Sequence, residues 1–188
     1  MSNEVFKENN QFINFLNKYK KKLILSLSLI LIVILSYYLI LYYKNQQNIL
    51  VSNKYNEAII LIENNEINSG KLILNEIIEK KDSFYSPLAL YLLIENNMEK
   101  NPEVVSNFFD EIISIKNLDK ESRNLIILKK SIYISNYFKE DELLKSLKPL
   151  LDSESVWRNK ALDLIAEFYK NIGNNQKYKE YLNLQNKN

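Results

Sequence analysis

The feature that most constrains this chain is a run of 21 residues without a charge, residues 23–43, between Lys22 and Lys44. At about 1.5 Å per residue, a helix of this length spans a hydrocarbon core of about 30 Å. Core helices of soluble proteins are seldom apolar on every side over such a length. Tyrosines cluster at the ends of the run, where phenol rings favour the level of the lipid headgroups. The sequence therefore predicts one membrane-spanning helix over residues 23–43.

The charges around this run predict its orientation. Lysines at positions 18, 20, 21 and 22 precede it, whereas Lys44 is the nearest cation on the other side. Because positive residues are retained in the cytoplasm, we expect Lys18, Lys20, Lys21 and Lys22 to act as topology determinants. Residues 1–22 are then a cytoplasmic segment, and residues 44–188 form a domain on the far side of the membrane. A cleaved signal peptide and the inverted topology are the alternatives. The apolar part of a signal peptide is shorter, about 7–15 residues, and a small-residue cleavage site follows it.

The composition excludes several kinds of chemistry. The chain has no histidine and no cysteine, which rules out Ser-His-Asp and Cys-His catalysis, imidazole or thiolate metal sites, and disulfides. Its two glycines, Gly70 and Gly173, cannot form a glycine-rich phosphate loop. Residues 45–188 carry 19 basic and 21 acidic residues, so we expect no nucleic acid partner. No cofactor and no metal are expected.

Beyond residue 44, apolar residues recur at helical spacing, and polar or helix-breaking clusters interrupt the pattern. Asn101 followed by Pro102, for example, is typical of a helix N-terminus. No breaker separates the membrane span from the first of these helices, so the two can be continuous. The predicted helices cover residues 46–64, 67–80, 84–97, 102–115, 119–137, 140–151, 154–172 and 174–185.

The last pair of helices closely resembles the tetratricopeptide (TPR) pattern. Large residues occupy its packing positions, a small residue allows the two helices to approach, and a glycine permits the turn; these residues are Leu162, Ile165, Ala166, Tyr169, Gly173, Tyr178 and Leu182. Aligning the other pairs on it places Ala58, Leu93, Ser131 and Ala166 at the small position of the first helices. Gly70, Val105, Leu143 and Tyr178 then occupy the packing position of the second helices, at spacings of 35, 38 and 35 residues. These spacings are close to the TPR period of about 34 residues.

The predicted fold is therefore all-α, with one N-terminal transmembrane helix followed by a TPR-like right-handed array of about four helical hairpins. An irregular helical bundle is the alternative. Trp157 is predicted to fill the core between the third and fourth pairs.

This architecture resembles the YfgM-like ancillary subunits of the bacterial SecYEG translocon. Residues 1–8 (MSNEVFKE) and 15–19 (FLNKY) are similar to the alphaproteobacterial branch of that family. The resemblance implies a non-catalytic TPR protein beside the Sec translocon, anchored in the bacterial inner membrane, with its N-terminus in the cytoplasm and residues 44–188 in the periplasm. It also implies contacts with translocon subunits and with secretory clients or periplasmic chaperones. Another envelope scaffold, which coordinates division or outer-membrane assembly, would have the same architecture.

The family's peptide groove follows the first helix of each hairpin. Carried over to this sequence, the groove residues are Tyr55, Ile59, Ile62, Leu90, Ile94, Asn97, Leu128, Ile132 and Asn136, with Asp163, Glu167 and Lys170 in the fourth hairpin. The groove residues of the first three hairpins are mainly apolar and those of the fourth are charged, which would suit a segment with apolar side chains. Alternatively, these apolar residues face the neighbouring hairpin.

The acidic residues favour no enzyme. Glu140, Asp141 and Glu142 begin a helix, where acids complement the helix dipole. We therefore predict that the protein is not an enzyme. A closed pocket with converging carboxylate, lysine or tyrosine side chains would favour the opposite conclusion.

Overall fold

The computed structural model describes the backbone over residues 2–137 and 139–185 and the side chains over residues 18–22, 24–137 and 139–185. These residues form helices joined by short turns, and they include no β-strand. The chain divides into two compact units, Met1–Leu50 and Val51–Asn188.

Eight helices make up the described part of the chain, in agreement with the predicted all-α class. The absence of a break between the apolar run and the next helix is also confirmed, because one helix covers both. The helices are α1 (Ser2–Glu63), α2 (Ile67–Glu79), α3 (Tyr85–Glu95), α4 (Pro102–Ile113), α5 (Lys120–Ile134), α6 (Glu140–Leu151), α7 (Arg158–Asn171) and α8 (Asn175–Gln185).

Helix α1 begins in the first unit and extends into the second, and it is long and apolar enough to cross a membrane. None of the residues in its most apolar stretch is buried by the protein. The lysines at positions 18, 20, 21 and 22 are exposed as well. Membrane anchors and signal sequences contain apolar helices near the N-terminus, as this chain does.

Local sequence signals account for the helix ends in the second unit. Asn101 Oδ1 accepts a hydrogen bond from the Glu103 backbone N–H at 3.0 Å, and Pro102 occupies the first turn, as predicted. Asp119 Oδ1 caps α5 in the same way by accepting from the Ser122 N–H at 2.9 Å. Between α7 and α8, Gly173 has φ +78°, a conformation that glycine adopts without a steric penalty. These three helix ends therefore follow from local chemistry that is visible in the sequence, whereas the N-cap residues of α2, α3, α6 and α7 form no side-chain cap hydrogen bond.

Helices of the second unit pack in chain order, each against the next, from α2 to α8. Two clusters of buried side chains form the core. The first cluster extends from Val51 to Ile126, and the second extends from Leu128 to Tyr169. Helix α5 contributes to both clusters. Such sequential packing is what consecutive helical hairpins require.

The predicted packing positions lie at helix contacts. Ala58, Leu93 and Ser131 are completely buried, and Ala166 is 1% exposed. Gly70 shows why a small residue is needed: a Cβ atom there would lie 2.8 Å from Ile62 Cγ1 and 3.3 Å from the Ala58 carbonyl oxygen. The backbones of α1 and α2 therefore approach too closely for a larger side chain.

Arg123 fixes the turn between α4 and α5. Its guanidinium donates to the carbonyl oxygens of Ile113, Ile115 (2.8 Å) and Leu118 (3.2 Å). These carbonyls lie at or beyond the last residue of α4, so they lack helical partners. One side chain therefore satisfies three acceptors.

Replacing Arg123 with glutamine is expected to lower the free energy of unfolding by about 1–3 kcal/mol, because partly buried carbonyls lose charged donors. Chemical unfolding of the full chain, followed by circular dichroism, measures the change. Lys120→Gln, an exposed position three residues earlier, serves as the control. Equal stability of the two variants would contradict the role given to Arg123.

Candidate functional site

Two clefts lie side by side along the first helices of successive hairpins. The first cleft, between α3 and α5, has a volume of about 340 Å³, and its walls include Tyr91, Ile94, Lys129, Ile132, Tyr133 and Asn136. The second cleft, between α5, α7 and α8, has a volume of about 740 Å³, and its walls include Leu128, Ile132, Trp157, Glu167, Lys170 and Tyr178. Ile132 is the residue common to both clefts.

Ile132 is 49% exposed although its side chain is entirely apolar. Two other predicted positions on α5, Leu128 of the groove and Ser131 of the small-residue register, are buried. The helix therefore directs one apolar side chain outward, between two depressions. A single exposed isoleucine is ordinary, but one that separates two apolar clefts is a candidate contact point.

Aromatic rings, one lysine (Lys129) and one glutamate (Glu95) line the first cleft. The Lys129 ammonium lies 4.1 Å from the ring centroid of Tyr91, which is a cation–π contact. Burial raises the pKa of the Tyr91 hydroxyl to about 12, so this residue is neutral at physiological pH. Tyr133 contacts both Phe109 and Tyr137, with centroid distances of 6.2 and 5.0 Å. The surface is thus amphipathic and contains flat rings.

The second cleft has an apolar floor and a charged rim. Trp157 and Tyr178 pack against the second core cluster and also line the cleft. On the rim, Asp163 accepts from Gln185 at 2.8 Å and lies 3.7 Å from the Lys160 ammonium. The rim carries both signs of charge, so the cleft does not select a ligand by net charge alone.

Several residues of the predicted groove line these clefts. Ile94, Ile132 and Asn136 belong to the first cleft, and Leu128 and Ile132 belong to the second. The charged groove residues predicted in the fourth hairpin, Asp163, Glu167 and Lys170, also line the second cleft.

The other predicted groove residues lie elsewhere. Leu90 is completely buried in the first core cluster, where no ligand could reach it. Tyr55 and Ile62 are partly buried and pack against the same cluster, and Ile59 is also partly buried. Asn97 is exposed in the turn after α3, with φ 50°. Sequence reasoning missed Tyr91, Lys129 and Tyr133, and it assigned Trp157 to the core alone.

A third depression lies on α4, α5 and α6, with a volume of about 620 Å³. An ion pair between Lys130 and Asp110, 2.6 Å apart, lies in its wall. Ser106, Glu142 and Lys145 add further polar groups. Ile113, Ile127, Ile134 and Pro149 supply apolar walls, so this depression is amphipathic as well.

Glu140, the first of the three acids at the start of α6, has a structural role. Glu140 Oε1 accepts from the Tyr169 hydroxyl at 2.6 Å and from the Lys177 ammonium at 2.7 Å. The hydrogen bond from Lys177, which has the larger effect, and the hydrogen bond from Tyr169 together hold the pKa of the Glu140 carboxyl below its usual value. Over the side chains described, no group of three or more acidic residues is arranged to hold a metal ion.

Comparisons with protein-family models, with curated proteins and with solved structures gave no match.

Proposed function

We propose that this chain is a membrane-anchored, non-catalytic interaction protein whose TPR-like hairpins bind an apolar segment of a partner protein. The observation that carries the proposal is the pair of clefts along α3, α5 and α7, with the exposed Ile132 between them. The burial of Ala58, Leu93, Ser131 and Ala166 at equivalent positions supports the TPR-like register.

The clefts suit a protein segment with apolar side chains. Tyrosine and tryptophan rings provide a large contact area at a small entropic cost and are enriched at protein interfaces. Tyr91, Tyr133, Trp157 and Tyr178 supply such rings here. Lysine, glutamate and asparagine at the rims can satisfy the polar groups of a bound segment. We therefore place the binding energy in the apolar floors and the orientation of the ligand in the rims.

The proposed location is the bacterial inner membrane, with the N-terminus in the cytoplasm and the hairpins in the periplasm. The apolar α1 helix and the four lysines before its uncharged run support this topology. The resemblance to the ancillary subunit family points to the Sec translocon, with secretory clients or periplasmic chaperones as ligands. An anchor beside the channel would act by raising the effective concentration of clefts and client for one another.

Co-purification tests this location. The tagged full-length protein is extracted from membranes in a mild detergent, and the accompanying proteins are quantified by mass spectrometry. A variant in which residues 23–43 are replaced by an unrelated membrane span is the control. We expect the translocon subunits to be enriched with the natural span and lost with the replacement.

Other outcomes would redirect the assignment. If the channel subunits are equally abundant in both samples while division or outer-membrane assembly proteins are enriched, the translocon proposal is wrong and a general envelope scaffold is favoured. Protection of the C-terminal domain from protease in intact spheroplasts would contradict the periplasmic topology.

A further inference from the structure

The backbone of any segment bound in the two clefts has to find hydrogen-bond partners. Both clefts are walled by helices, and a helix pairs its own N–H and C=O groups internally, so these walls offer no row of free backbone groups. The described residues also include no β-strand whose edge could pair with an extended segment. An extended segment would therefore depend on side chains for its backbone hydrogen bonds.

Some of the polar side chains at the clefts are already engaged within the protein. Asn136 Nδ2 donates to the Ile132 carbonyl oxygen at 3.4 Å, and Asp163 Oδ1 accepts from Gln185 Nε2 at 2.8 Å. Backbone groups left unpaired over the apolar floors would oppose binding, because they lose their hydrogen bonds to water. A helical segment avoids this cost, since it satisfies its backbone within itself.

Ile132 stands as a ridge between the two clefts. Its side chain is 49% exposed and lines both of them. A segment that fills both clefts needs two projecting side chains with room between them for this isoleucine. The surface of a helix has this form, because its side chains make ridges separated by grooves. The two clefts and the ridge are therefore complementary to a helix that crosses α5.

The positions of the clefts determine which side chains of such a helix can enter them. The first cleft lies between α3 and α5 and the second between α5 and α7, so their centres are separated by about one interhelix distance, which is about 8–10 Å. Residues seven positions apart on a helix are separated by about 10.5 Å along its axis, whereas residues three or four positions apart are only about 4.5–6 Å apart. The two anchors are then seven positions apart.

We propose that the partner segment is an amphipathic helix that lies across α5, with two apolar anchors seven positions apart and small residues between them, where Ile132 projects. The inference rests on the proposed function and names the ligand class of the same clefts. The volumes of about 340 and 740 Å³ assign the larger anchor to the second cleft. The residues that line each cleft carry equal positive and negative charges, so the anchors and not the net charge select the ligand. These charged residues are Lys129 and Glu95 in the first cleft and Lys160, Lys170, Asp163 and Glu167 in the second.

Trp157 fluorescence tests the proposal, because Trp157 lines the second cleft and is the only tryptophan in the chain. The probe is a synthetic peptide of about 16 residues, rich in alanine, glutamate and lysine and long enough to form a helix in water. It carries one leucine and, seven positions later, one phenylalanine, with alanine at the positions between them that share their face. The full-length protein is titrated with this peptide in phosphatidylcholine nanodiscs.

Two further peptides are the matched controls. One has the same composition but places the leucine and the phenylalanine five positions apart, on different faces of the helix. The other keeps the spacing of seven and replaces a central alanine with proline, which disrupts the helix. We expect both to have a Kd at least about tenfold higher than the probe, the effect of losing one buried anchor.

A complementary change locates Ile132 under the bound helix. A leucine in place of the alanine midway between the anchors should raise the Kd for the unmodified protein, because that position faces the ridge. The Ile132→Ala variant should bind this peptide as tightly as the unmodified protein binds the probe. Failure of the variant to restore binding would contradict the proposed position of the helix.

The remaining outcomes separate this inference from the proposed function. If the proline peptide or the peptide with a spacing of five binds as tightly as the probe, the helical ligand is wrong, while the clefts still bind an apolar segment. If no peptide changes Trp157 fluorescence up to about 1 mM, the proposed function fails together with the inference. A change in Trp157 emission when the protein alone is diluted would indicate that a second copy of the chain occupies the clefts, and it would overturn the proposal.

Discussion

Replacing Ile132 with aspartate is expected to weaken partner binding about 30-fold or more while the hairpins stay folded. The Ile132 side chain lines both clefts and is 49% exposed, so it is not part of the buried core. In the unbound protein, an aspartate at this position can therefore remain in contact with water. In the complex, however, the new carboxylate would be desolvated between two apolar surfaces. Loss of a central contact residue costs about 2 kcal/mol or more, which corresponds to that factor in Kd. The amount of partner recovered per amount of tagged protein measures the effect.

Two matched variants separate binding from stability. Leu72→Asp introduces the same group at a 66% exposed leucine on α2, which is not among the residues that line either cleft. Ile132→Leu retains an apolar side chain of the same size at the position that lines both clefts. We expect both to recover the partner at the level of the unmodified protein. If Leu72→Asp loses binding as strongly as Ile132→Asp, the clefts are not the binding site.

The positions of the helices were predictable because their signals are local. Asn101 with Pro102, Asp119 and Gly173 end or begin helices through contacts within a few residues of themselves. The same holds for the membrane-length helix, since length and the absence of charge depend on nothing outside α1.

The clefts were predictable only in part because they depend on tertiary packing. Helix α3 is apolar on nearly every side, since it packs against both α2 and α4. Periodicity alone therefore could not show that Leu90 is in the core while Tyr91 and Ile94 line a cleft. On α5, the alternation of polar and apolar residues is clearer, and Leu128, Ile132 and Asn136 all reach the clefts.

Lys129 and Trp157 show a second limit of the sequence. A lysine is expected to be solvated, yet Lys129 forms part of the first cleft because Tyr91 of another helix offers its ring face. Trp157 is a plausible core residue by composition, and it does contact the second core cluster. Its position before α7 leaves part of the side chain at the second cleft. Both roles depend on contacts with other helices, which the sequence around each residue does not show.

Because the core is divided into two clusters, a destabilising substitution in one cluster should affect mainly the helices that contribute to it. Helices α2, α3 and α4 contribute to the first cluster, and α6 and α7 contribute to the second. Tyr169 is completely buried in the second cluster, and its ring stacks on Tyr181 of α8 at 5.5 Å. Its hydroxyl donates to Glu140 at the start of α6. One side chain therefore joins the last three helices.

Replacing Tyr169 with alanine is expected to cost about 3–5 kcal/mol, because a large buried ring is removed and a cavity remains. In a linear array each hairpin is stabilised mainly by its neighbours. Hydrogen exchange on the full chain should therefore show loss of protection in α6, α7 and α8, while α2, α3 and α4 stay protected. Tyr169→Phe is the matched control, since it keeps the ring and loses only the hydroxyl, which donates to Glu140 and accepts from Lys177; the expected cost is about 1–2 kcal/mol. Uniform loss of protection across all seven helices from α2 to α8 would contradict the division of the core, because it would mean that the two clusters unfold as one unit.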